Sequence, residues 1–150
     1  MSVRRKLKFA DTDAVAAEVR RLRSGYRKIG EWSLPQACWH LETAIRLSMQ
    51  PHPQKDFKAG LGRKVLLLAI LIIGRIPAGA HAADIVTPAK EVPESAIDDF
   101  VGVLEKLKDF TGEFAPNPMF GRLTHGQYVR LHLIHCAHHL GFLVPDRQST

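Results

Sequence analysis

Apolar residues in this chain recur at three- and four-residue spacing through long stretches bounded by Gly and Pro, and runs of strict alternation are scarce. That periodicity points to an all-α fold. Val15, Val19 and Leu22 share one face of a helix expected over residues 12–24, with Asp11 or Thr12 as N-cap and Gly25 just beyond its end. Ser33 and Gln36 have the spacing of a capping box, and Pro35 suits a first turn, so a second helix is expected over 34–49, ending before Pro51. Thr124 and Gln127 repeat that spacing ahead of a last helix over 124–142, which ends at Gly141 and Pro145. A further helix is expected from Pro93-Glu94-Ser95 to Asp109, with Ile97, Val101, Leu104 and Leu107 as its core face. The stretch 63–73 is apolar nearly all round, which predicts a helix at the centre of the packing. Residues 76–92, rich in Ala, Gly and Pro, read as a loop carrying a single turn, long enough to cover or line a site.

A chain of 150 residues is one ordinary domain that can build a core without staples. The expected organisation is a single domain over 1–150 with short tails at 1–10 and 145–150. The longest apolar run is Val65 to Ile73, and a membrane span needs roughly 20 residues, so no membrane association is expected. Two cysteines are too few for a disulfide framework, and no apolar stretch follows the basic start, which implies a cytoplasmic protein with reduced thiols. The net charge of +6 is dispersed over Arg4, Arg5, Lys6 and Lys8 and a second group from Arg20 to Lys28. Without an aromatic stacking platform or a recognised reading motif these read as solvated surface, and nucleic acid is not the expected partner.

Histidine is the unusual residue: there are eight, five of them between His125 and His139. On the last helix His135 and His139 are one turn apart, about 40° around the axis, so both rings can reach one point in space. A four-residue His pair on a helix suits a divalent transition metal. A third ligand has to come from a neighbouring helix, and His40 lies within the second one. The competing reading is that the rings are core or surface histidines satisfied by backbone or water. Their density, with almost no acid nearby, works against burying them as unpaired polar rings. Cys38 and Cys136 point away from His40 and His135 on their helices and read as small core residues.

The block Trp32-Ser33-Leu34-Pro35-Gln36 leading to Trp39-His40-Leu41, together with Phe120-Gly121-Arg122-Leu123-Thr124 and the run from Leu131 to Leu140, resembles the DinB/YfiT-like superfamily, in an uncharacterised bacterial branch. The resemblance covers nearly the whole chain and implies a four-helix bundle. It also implies a three-histidine divalent-metal site, which maps onto His40, His135 and His139, with zinc or nickel as the first candidates. Members include thiol-dependent S-transferases and a maleylpyruvate isomerase. Many members follow the His pair with Arg-Gly-Gln, whereas here His139 is followed by Leu140-Gly141-Phe142, which implies a more apolar pocket wall. His132, one turn before His135, is a candidate base or proton shuttle behind the ligands, against a structural role.

Two functional readings follow. In the first, the three-histidine site activates water or a small thiol, making the chain a metal-dependent hydrolase or S-transferase acting on a small-molecule or thiol ligand. In the second, the bundle binds a metal or ligand without turnover. A homodimer is compatible with both.

Overall fold

Caps set the helix boundaries in a computed structural model that describes residues 3–50, 58–77 and 84–147. The Asp11 side chain accepts from the Ala14 amide at 2.8 Å and opens α1, Thr12–Arg23. Ser33 and Gln36 form a reciprocal capping box at the start of α2, Leu34–Ser48, as do Thr124 and Gln127 at the start of α5, His125–Leu140. Each box satisfies two amides that the first turn leaves without intrahelical partners. Between them lie α3, Leu61–Ile73, and α4, Ser95–Asp109. Gly74 closes α3 at φ +73°, a left-handed conformation that a residue with a Cβ adopts at a cost.

The expected all-α class therefore holds, since nearly all of the regular structure among the described residues is helical, with one addition. A two-stranded antiparallel sheet joins β1, Tyr26–Lys28, to β2, Leu143–Pro145, in the register Tyr26 to Pro145, Arg27 to Val144 and Lys28 to Leu143. Just past it the Ile29 amide donates to the Phe142 carbonyl at 2.8 Å, and the Leu34 amide donates to the Tyr26 hydroxyl at 2.8 Å. The start of α2 and the end of α5 are thus tied to each other outside the helices. No helix among the described residues is long and apolar enough to cross a membrane.

Helices α1, α2, α4 and α5 enclose the main core, built on Val19, Leu22, Leu41, Ile45, Phe100 and Leu140, and α2 lies most extensively along α4. Helix α3 is not the central element that its composition predicts. It docks through Leu67 and Ile70 onto Leu131 and Ile134 of α5 and onto Phe120. Its far face leaves Leu61, Val65, Leu68 and Ile72 in water, Ile72 at 72% exposure. The central position belongs to α5, which touches α1, α2 and α3 and is buried around most of its circumference. Hydropathy alone reverses the two because buried histidine rings that find partners count as polar in a sequence and as core in a fold.

This placement makes a contrast measurable by chemical denaturation. Leu68→Gln should change the unfolding free energy by less than about 0.5 kcal/mol. Phe100→Ala, at a fully buried position, should cost about 3–5 kcal/mol. Similar costs for the two would contradict the peripheral position of α3.

The basic N-terminal stretch is also more than solvated surface. The Arg5 amide donates to the Gly141 carbonyl at 2.9 Å, and its guanidinium reaches the Leu143 carbonyl at 2.7 Å, the Leu140 carbonyl at 3.2 Å and Glu18 at 2.5 Å. Leu7 and Phe9 pack on the core while Lys6 and Lys8 stay exposed. Of the expected tails, residues 1–2 and 148–150 lie outside the described residues.

Candidate metal centre

His135 and His139 stand one turn apart on α5, and the packing of α2 against α5 brings His40 opposite them. The three candidate ligand atoms lie within 4.8 Å of one another. The Nε2 of His135 is 2.9 Å from that of His40 and 3.1 Å from that of His139. A tetrahedral ion with bonds of about 2.0–2.1 Å needs ligand nitrogens about 3.3 Å apart, so the cluster matches that scale. The donor set is three imidazoles, and no carboxylate joins them among the described residues. These residues could hold a metal ion.

Protonation is consistent with that use. The Val86 carbonyl accepts from Nδ1 of His40 at 2.6 Å, so that nitrogen carries the proton and Nε2 presents its lone pair to the other two rings. Burial pushes His40 below the ordinary imidazole range, partly opposed by the Val86 bond. Burial holds His135 well below that range, helped by repulsion from His40, His132 and His138. His139 is lowered chiefly by burial, then by His135, His40, His138 and Arg4. All three are therefore neutral at physiological pH, the form in which imidazole binds a metal.

Trp32 caps the cluster. Its ring is stacked on His139 with centroids 5.0 Å apart and planes at 18°, and it is 4.9 Å from His40. The 76–92 segment does line the site in its described part. A 3-10 turn, Asp84–Val86, supplies the carbonyl to His40, and the Gln36 side chain donates to the Ala89 and Lys90 carbonyls at 3.0 and 3.2 Å. Residues 78–83, His81 among them, lie outside the described residues.

The remaining sequence candidates fall elsewhere. His132 is buried and does not join the cluster. Its Nε2 lies 2.9 Å from the Ser48 hydroxyl, which donates its one proton to the Ile45 carbonyl at 2.7 Å, so His132 is the donor to Ser48. Burial pushes His132 down to about 4. Cys38 and Cys136 are free, buried thiols; burial raises both, Cys136 to about 12, which leaves them unreactive. Leu140 is fully buried in the main core and so is not the exposed pocket wall expected from its place after His139. Phe142 does reach the histidines, with its ring edge-on to His138 at 5.5 Å.

Sequence reasoning did not identify Trp32, Val86, Ser48 or Arg4 as parts of the site. A backbone carbonyl leaves no trace in side-chain patterning, and Arg4 arrives from the other end of the chain. No curated protein and no solved structure matches the chain. A family model does match residues 1–146, and on that evidence the chain belongs to DUF1569, a protein family of unknown function.

Proposed function

We propose that this chain is a divalent-metal-dependent enzyme of the hydrolase or S-transferase type, a DinB/YfiT-like four-helix bundle formed by α1, α2, α4 and α5. The observation that carries the reading is the convergence of three neutral imidazole nitrogens within 4.8 Å, without a carboxylate among the described residues that would cancel the charge of an ion. In this reading His40, His135 and His139 hold zinc or nickel. When bound, such an ion supplies Lewis acidity that makes water or a small thiol nucleophilic at neutral pH.

The chain's own residues orient and enclose that chemistry. Val86 fixes the tautomer of His40 through its carbonyl. Trp32 shields His40 and His139 from water on one side. His132, tied to α2 through Ser48, acts as a positioning residue that sets the height of the His135 turn against α2. Three protein ligands among the described residues, instead of four, favour a catalytic site over a structural one, because structural zinc sites close their coordination shell with protein.

Protein purified without a nickel column should contain about one divalent ion per chain by elemental analysis. After exchange to Co(II), small thiols or carboxylates should change its visible spectrum. A spectrum indifferent to a broad panel of these, with a fourth protein side chain on the ion, would leave a non-catalytic metal-binding bundle as the correct reading.

A further inference from the structure

Arg4 reaches the edge of the histidine cluster from the N-terminal segment. Its Nη1 and Nη2 both donate to the Ile76 carbonyl, at 3.1 and 3.2 Å, an end-on arrangement. The second Nη1 proton points to Nδ1 of His138, and the guanidinium carbon lies 5.5 Å over the Phe142 ring. A guanidinium has five N–H groups. Three are thereby engaged, and the side-on edge formed by Nε–H and the remaining Nη2–H has no acceptor among the described residues. That parallel pair is the arrangement that grips a carboxylate or a phosphate with two bonds.

The surroundings reinforce the charge instead of cancelling it. Arg75 precedes the residue whose carbonyl Arg4 holds and is exposed; Arg4 is lowered first by burial and then by the Arg75 charge. No acid takes part in the bonds of either residue among the described residues. His138 accepts from the guanidinium through Nδ1. Its ring stands edge-on to His139 with centroids 4.8 Å apart, so Arg4 is separated from the three-histidine cluster by the width of one imidazole.

We infer that Arg4, with Arg75 beside it, forms an anion seat at the rim of the histidine cluster, taking the carboxylate or phosphate group of a substrate whose reacting end lies at the three rings. That the anion belongs to a substrate rests on the metal-dependent reading above; the seat itself does not. The seat narrows the substrate class to small molecules whose anionic group is set apart from the reacting atom by the guanidinium as well as the His138 ring. It also gives the basic N-terminal stretch a role that surface solvation does not.

The test is titration of the full chain, metal-free and zinc-loaded, with inorganic phosphate and separately with acetate. It is followed by calorimetry and by the Nε–Hε NMR resonance of Arg4. Saturable binding that shifts this resonance in the metal-free protein is expected, with a loss of roughly tenfold or more in Arg4→Gln and a smaller loss in Arg75→Gln. Arg4→Lys keeps the charge and loses the side-on pair, so it should weaken binding as well. A preference for phosphate would assign a phosphoryl group, and a preference for acetate a carboxylate. An Arg4 resonance that does not move with either anion, or wild-type affinity in both Arg4→Gln and Arg4→Lys, overturns the seat. Zinc retention is read separately: anion binding without zinc retention would sink the metal reading alone, and zinc retention without Arg4-dependent binding would sink the seat alone.

Discussion

His135→Ala should lose stoichiometric metal, with affinity lower by on the order of 100- to 1000-fold, the share of one ligand in the binding free energy of a zinc site. His135 is the critical choice because its Nε2 is the shared vertex, 2.9 Å from His40 and 3.1 Å from His139. Removing it leaves two imidazoles on different helices with no common short contact through the third. His132→Gln, which loosens the His135 turn but removes no ligand, should keep the ion with a loss of affinity well short of that in His135→Ala. Elemental analysis after dialysis, with a chelator competition titration, separates the two variants. Unchanged affinity in His135→Ala would show that an ion, if bound, sits elsewhere.

Acid should destabilise the metal-free protein well before its carboxylates titrate. Buried imidazoles whose native pKa is depressed bind fewer protons folded than unfolded, so their stability is fully present above the unfolded pKa near 6.5 and is lost as pH falls below it. His132 is pushed down to about 4 by burial alone. Between pH 6.5 and 4 it should remove about 3 kcal/mol of unfolding free energy, at about 1.4 kcal/mol per pH unit. His40, His135 and His139 are lowered in the same direction and steepen the loss. Urea unfolding at pH 7.5, 6.0, 5.0 and 4.5 should show a plateau at the high end and a steep decline below it. His132→Gln should flatten that decline by about the single-histidine increment. A flat profile to pH 4.5 would mean that the histidines are hydrated in the native protein.

The parts of the fold readable from sequence were those encoded within a turn of chain. Both capping boxes and the Asp11 cap depend on residues three apart, and all three lie where spacing puts them, while α4 starts just after Pro93 and Glu94 without a side-chain cap. The His135 and His139 pair is readable for the same reason. Its partnership with His40 needed a second helix, and the Trp32 stack, the Val86 carbonyl and Arg4 depend on chain crossings that no local pattern encodes. Helix α3 fails differently: periodicity ranks side chains by apolarity, but whether a neighbour exists to cover them is a property of topology. The strands are too short and too far apart in sequence to leave an alternating signal, and Arg27 and Lys28 disguise β1 as surface.

The β1 and β2 ladder has a bearing on how this chain tolerates insertions. Surface connections usually accept an added residue at little cost. Here the link from Lys28 to Ser33 and the one from Leu140 to Leu143 join the ladder to the helices that carry His40 and His139. One extra residue shifts a strand by about 3.3 Å. That step exceeds the 2.9 and 3.1 Å that separate the ring nitrogens, so a single-residue slip in either link displaces one imidazole by more than the span it has to bridge. A one-residue indel in either of these short links should therefore be as consequential for the centre as substitution of a histidine.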